Sequence, residues 1–205
     1  MTSFDRRVKV LHDHVMGNPE YYFLDCVLDR DLARVIAPPG LDEKSQAWRT
    51  GAVVAPSQQS IPPFQILPGE EGVLPPFLNE AVPLMHDELI ATLRDAGVDN
   101  LQVFDVAIIE LATGRIYNTH KAVNVLGLVD CVDGSAENAD PLYPAIDRAR
   151  ARDLAFFRLA AAPDRIVIHG RIKERIESVD VGAHLEFRQA GRDAARSRVL
   201  PADVG

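Results

Sequence analysis

The side chains that could do chemistry in this sequence are few. His12 and His14 alternate along a strand-like stretch. Both imidazoles would then face one way and could hold a metal ion if a third ligand converged on them. No third ligand is identified, and two surface histidines is the plainer reading. His86-Asp87-Glu88 opens a helical pattern, where a histidine beside carboxylates could serve acid–base work. Consecutive helical residues point in different directions, so the three do not form one site. Asp87 and Glu88 are explained by the positive end of the helix dipole. Cys131 lies between Asp130 and Asp133, and neighbouring carboxylates raise a thiol's pKa, which makes it a poor nucleophile. There is no glycine-rich phosphate loop, paired-cysteine zinc signature or nucleophile elbow. No catalytic residue, cofactor or metal site is assigned, and the chain is expected not to be an enzyme.

Charge is more informative. The 205 residues carry a net charge of −8, but unevenly. Residues 70–140 hold 13 acids against only Arg94, Arg115 and Lys121, a local charge of −10. Residues 1–69 come to −1 and residues 141–205 to +3. A segment this acidic does not bind nucleic acid, whose phosphates require clustered Lys and Arg. It could speed encounter with a basic protein, or be a solvated face that only aids solubility.

These residues must be carried by a fold. Length and ordinary globular composition suit a single domain with its own core. A hairpin is expected from Val8–Val15 and Tyr21–Leu28 around Gly17-Asn18-Pro19. From Ala37 to Pro83 prolines are dense, yet Trp48, Val53, Val54, Phe64, Ile66, Leu67 and Phe77 argue for a loop-rich layer packed on the core. Met85, Leu89 and Leu93 recur every four residues, predicting a helix over Leu84–Ala96, with Pro83 before it and Gly97 as its cap. Leu101–Leu111 reads as a central strand, apolar on both faces. A turn at Ala112-Thr113-Gly114-Arg115 leads into a long strand, Ile116–Val132, with a bulge or bend at Gly127. Asn124 inside that run must find hydrogen-bond partners, and locking the neighbouring loop to the sheet would supply them. After an irregular stretch, Ala136–Arg152, come short strands Phe156–Leu159 and Arg165–His169, a helix Ile172–Val179 and a strand Leu185–Arg188. The expected architecture is α+β: one central, mostly antiparallel sheet, one main helix on it and the proline-rich layer. The domain would span residues 1–189 with its core at about 84–188, and residues 190–205 would form a polar, frayed tail. Cys26 and Cys131 read as two buried free thiols. Met1–Lys9 has no apolar stretch behind its charges, and Ala122–Val129, the longest uncharged apolar run, is too short to span a bilayer. Cytoplasm is the expected compartment, with no membrane partner.

The run Tyr117–Asp133, ending Asn124-Val125-Leu126-Gly127-Leu128-Val129-Asp130-Cys131-Val132-Asp133 and followed by Ser135, resembles the core pattern of a bacterial immunity-protein family. That family belongs to polymorphic toxin systems; it was formerly a domain of unknown function and is typified by a myxobacterial protein. Tyr21-Tyr22-Phe23, the helix Pro83–Gly97, Leu101-Gln102-Val103-Phe104, Phe157-Arg158-Leu159 and Gly182-x-x-Leu185-x-Phe187 follow in the same order. Tyr117 stands farther from Asn124 than in the pattern, and Pro56–Pro83 has no counterpart. The resemblance implies an inhibitor that binds a cognate toxin one to one, and many such toxins are nucleases with basic active faces. Glu70, Glu71, Asp87, Glu88, Asp95, Asp99, Asp133, Glu137 and Asp140 are the candidate partner-binding carboxylates. The alternative is a regulatory binding module for a cellular signalling protein such as a small GTPase. A small hydrolase or metal enzyme using His12, His14 or His86 is a third reading.

Overall fold

The computed structural model describes residues 21–27, 31–39, 41, 46–55, 61–79, 82–135 and 140–191. The expected strand Val8–Val15 and its turn lie outside the described residues, as do His12, His14 and Glu137. The elements in chain order begin with β1 (Tyr21–Cys26), β2 (Val35–Ile36), α1 (Gln46–Arg49), β3 (Phe64–Ile66), β4 (Phe77–Asn79), β5 (Pro83–His86) and α2 (Asp87–Asp95). There follow β6 (Leu101–Asp105), β7 (Ile108–Glu110), β8 (Arg115–Tyr117), β9 (His120–Val125) and β10 (Leu128–Val129). The chain closes with α3 (Arg148–Ala151), β11 (Phe156–Leu159), β12 (Ile166–His169), α4 (Gly170–Glu177), a short 3-10 helix at Asp180–His184 and β13 (Leu185–Gln189).

The fold is α+β, but its strands form three sheets rather than one central sheet: β10-β11-β12-β1-β13, β2-β3-β7-β8 and β4-β5-β9-β6. Most pairings are antiparallel; β10–β11 and β3–β7 are parallel. The two long strands expected from the sequence are the reason for the difference. Leu101–Leu111 breaks at Val106-Ala107, so that β6 is an edge strand of one sheet and β7 an inner strand of another. Ile116–Val132 breaks twice and feeds all three sheets through β8, β9 and β10. A strand buried on both faces and a strand that changes sheets show the same unbroken apolar run. Here Leu101 and Val103 pack against one core cluster, while Phe104 and Val106 belong to the next. Gly127, at φ +87°, makes the bend between β9 and β10.

The main helix also starts later than its periodicity suggests. Leu84 and Met85 are fully buried because β5 runs between β4 and β9, covered on both faces. His86 is extended and caps α2, its Nδ1 accepting a hydrogen bond from the Glu88 N–H. Leu89, Ile90 and Leu93 of α2 then share one cluster with Ile172 and Ile176 of α4, Leu24, Val123 and Ile168. Two helices therefore pack on this core, not one. The proline-rich layer is not merely loop: it supplies β3, β4 and the start of β5, and Trp48, Phe64 and Ile66 anchor a second cluster. Around Phe23, Cys131, Phe157 and Val167 lies a third. Both cysteines are free; Cys131 is buried but Cys26 is only half-buried. No helix among the described residues is long and apolar enough to cross a membrane.

The sheets are held together where the loop after α1 meets β9. Gly51, at φ +67°, lies so close to Gly127 that a Cβ there would stand 2.6 Å from the Gly127 carbonyl carbon. The Gly127 N–H donates to the Gly51 carbonyl at 2.7 Å. Gly51→Ala should therefore cost about 2–4 kcal/mol, from the left-handed conformation and a clash with backbone that cannot rotate away. Gly114→Ala has the same sign of φ but open space around it, and should cost only about 1–2 kcal/mol. Urea unfolding of both variants measures the difference; equal losses would show that the close approach matters less than the torsion.

Candidate functional site

The candidate carboxylates do not form one patch. Glu70 and Glu71 follow the turn after β3, where Glu70 lies 3.9 Å from Arg34 and Glu71 accepts from the Gly69 N–H. Asp87 and Glu88 stand exposed in the first turn of α2, and Asp95 is its last residue. Nine residues of helix separate the two ends by roughly 12 Å. Asp99 is exposed in the loop beyond. Asp133 and Asp140 are spent on local structure beside the five-stranded sheet. Asp133 accepts from the Ser135 N–H and hydroxyl, bonds that hold its carboxyl below the usual range, and Asp140 accepts from the Leu142 N–H.

One carboxylate missing from the sequence reading joins this set. Asp105 has its side chain 96% exposed, and its carboxylate lies 3.1 Å from Lys121 Nζ, which also lies 3.9 Å from Asp87. Lys121 is thus held between an acid from α2 and an acid from β6. The cross-strand pairing of Asp105 with Lys121 could have been read only by ending β6 at residue 105. Beside this group is a cavity of about 420 Å³ lined by Pro63, Asp105, Ala107, Ile109, Asn118 and Lys121. A second, of about 410 Å³, lies between the end of α2 and β11, with Asp99, Asp153, Arg171, Leu126, Leu154 and Phe156 in its wall.

His86, which the sequence offers for acid–base work, caps α2 and packs against a second histidine. His120, buried in β9, donates from Nε2 to the Pro75 carbonyl at 2.9 Å, while its Nδ1 faces the Thr119 hydroxyl. Its ring meets that of His86 edge to face, centroids 5.2 Å apart. Burial pushes the His120 pKa below the ordinary imidazole value; the Pro75 carbonyl and Asp87 oppose the shift and His86 adds to it. Cys131 is pushed up to about 11, by burial first and by Asp130 and Asp147 less, with Arg150 opposing. Among the described residues no group of three or more His, Cys, Asp or Glu could hold a metal ion. Asn124 does lock a loop to the sheet: its Nδ2 donates to the Ala52 carbonyl at 2.7 Å and to Gln102 Oε1 at 3.0 Å.

In sequence, Arg158 stands out only as the middle residue of Phe157-Arg158-Leu159. It is 1% exposed, donates from Nη1 to the Pro163 carbonyl, and its Nε and Nη2 find no acceptor among the described residues. Burial, with Arg49 nearby, lowers its pKa to about 10.

No family model matches the chain, and no curated protein matches it.

Two measurements test this electrostatic picture. A folded-state pKa below the unfolded value means that the unfolded chain binds more protons near pH 6. The contribution of His120 to stability is therefore complete above about pH 6.5 and is lost as pH falls through the folded value. Melting curves from pH 7.5 to 5 should show that loss, and His120→Gln should flatten the pH dependence; an unchanged slope would place the titration elsewhere. Arg158→Met removes the orphaned donors at similar volume, so its Tm should equal or exceed that of the parent chain. A fall of more than about 5 °C would show that the guanidinium stabilises the fold.

Proposed function

We propose that the chain is an immunity protein that binds a cognate toxin, a nuclease, one to one and blocks its active face. The observation that carries this reading is the unneutralised acidity of the 70–140 segment. Glu71, Asp87, Glu88, Asp95, Asp99 and Asp105 all stand exposed. Of the three bases in the segment, Lys121 is already held by Asp87 and Asp105, and Arg115 stacks on the Tyr117 ring, 4.6 Å from its centroid. A nuclease must present positive potential to phosphate, so a negative surface is what an inhibitor of one requires, and it also speeds the encounter. The family-like run supports the reading in another way. Tyr117, Asn124 and Asp133 hold strands and turns together: Tyr117 donates to Glu110, Asn124 to the loop, and Asp133 accepts from Ser135. Those residues specify a framework and leave its exposed acids to meet the partner. The partner's site is on the toxin, so inhibition needs no reactive group on this chain.

The test is to look beside this chain's gene for a toxin domain, to produce that domain with and without the chain, and to follow growth; no toxin domain there would count against the proposal. Protection is the expected result. Reversing Glu70, Glu71, Asp87 and Glu88 to Lys should weaken binding roughly 10- to 100-fold at low salt and flatten its salt dependence. Circular dichroism would check that the helix survives the loss of its favourable N-terminal charges. Full affinity in the reversed variant would sink the electrostatic basis of the proposal.

A further inference from the structure

The outer face of the sheet β2-β3-β7-β8 carries a row of apolar side chains that its own core does not use. Register settles which residues share that face. Ile36 pairs with Gln65, Gln65 with Ile109, and Ile109 with Ile116, and directly paired residues project to the same side. Their strand neighbours Val35, Phe64, Ile66 and Ile108 point the other way and are buried. On the outer side Ile36 is 37% exposed and Ile116 57%. Leu67 and Leu111, two residues beyond Gln65 and Ile109, add a second row at 38% and 45% exposed. Two residues before Gln65 and Ile109, Pro63 and Ala107 line the cavity of about 420 Å³, so the face runs into a recess. Single exposed apolar residues need no explanation, but five on one sheet face, interrupted only by Gln65, do.

The border of this face is acidic at both ends. Beside the recess stand Asp105 and Asp87, with Lys121 between them. At the far end the turn from Leu67, closed by the Glu70 N–H donating to the Leu67 carbonyl, carries Glu70 and Glu71. Arg34, on the same side as Ile36, is engaged by Glu70. Lys121 and Arg34 are therefore each already paired with an acid, and of these six charges two negative ones remain, while Arg115 beside Ile116 is engaged by the Tyr117 ring. An apolar centre with a charged rim is the anatomy of a protein interface.

We infer that this sheet face is the docking surface, and that its occupant is a basic protein. An apolar ridge of that protein lies along Ile36, Ile109 and Ile116, with Lys or Arg reaching Asp105 and Asp87 at one end and Glu70 and Glu71 at the other. The identification of that protein with the toxin rests on the proposed function; the location of the surface does not. A second copy of this chain is the wrong occupant, because an isologous contact would set the same acidic borders against each other.

The experiment is site-specific photocrosslinking in the cells that natively make this chain. Benzoylphenylalanine replaces Ile116 in the full chain, and a control chain carries it at Leu142, which is 56% exposed beside the five-stranded sheet. One protein captured through position 116 and not through 142 is expected. No product at 116, or a product containing a second copy of this chain, overturns the inference. The captured protein is then purified and titrated. Ile116→Glu, at an exposed position, should weaken binding by about 30-fold, and Asp105→Lys by about 5-fold, mostly at low salt. Glu174→Lys, an exposed acid on α4 away from this face, should leave affinity unchanged. If the captured protein does not arrest growth when made alone, the surface stands and the neutralising function falls. If a growth-arresting partner binds Ile116→Glu as tightly as the parent chain but Glu174→Lys poorly, the function stands and the surface falls.

Discussion

Much of this architecture depends on one buried amide. Asn124 sits near the end of β9, 0% exposed, in the strand that joins β5 to β6. Its cross-strand partner is Gln102, whose Oε1 accepts both from Asn124 Nδ2 and from the Val54 N–H. Together the two amides bond the Ala52 carbonyl and the N–H of the buried Val54, fixing the loop against the sheet. The same loop brings Gly51 against Gly127, and α1 just before it seats Trp48 against Phe104. The arrangement has a cost: Asn124 Oδ1 has no partner among the described residues. One unmet acceptor, at about 1–3 kcal/mol, is exchanged for a fixed loop, and that loop sets where β9 must end and β10 begin.

From that junction the three sheets follow. A chain that stayed extended from Ile116 to Val132 would make one long strand. The bend at Gly127, pinned by Gly51, instead sends β10 to lie parallel to β11 in a different sheet. Asn100 reinforces the change of sheet, its Nδ2 donating to the carbonyls of Leu126 and Phe156 and so tying the β6 side to the five-stranded side. Asn79 makes a similar tie between β4 and the Asp164 carbonyl. These side chains bridge residues far apart in sequence and belong to no local period.

That is also why some parts of the structure were legible in the sequence and others were not. The strands Phe156–Leu159 and Leu185–Gln189, the turn after Glu110, the bend at Gly127 and the locking role of Asn124 all follow from local rules: alternation, turn chemistry, and the need to satisfy a polar group. Helix α2 was legible in existence but not in its first turn. Leu84 and Met85 fit a helical period and a doubly buried strand equally well, and only the pairing of β5 with β9 decides between them. The breaks at Val106-Ala107 and before β9 were invisible, because an apolar run looks the same whether it stays in one core or crosses between two. Among the candidate acids, composition identified the charged segment, but only register could place Asp105 beside Lys121 and Asp87. Position in the segment likewise could not reveal that Asp133 and Asp140 close turns.

The same division separates framework from surface. Several residues of the run Tyr117–Asp133 are committed inward or to turns: Asn124 and Val125 are buried, Tyr117 is bonded to a buried Glu110, and Asp133 accepts from Ser135. A change at any of these disturbs the frame first. Ile36, Leu67, Leu111 and Ile116 have the opposite character. They contribute little to the core, so the fold places weak demands on what stands there beyond a strand that can pair. Substitution at those positions, and at the acids bordering them, can alter partner choice without altering the sheets, since specificity is a difference between affinities and not a property of the scaffold. If the proposed surface is the docking site, one set of buried amides and glycines would be kept while the outer face is remade for each new partner.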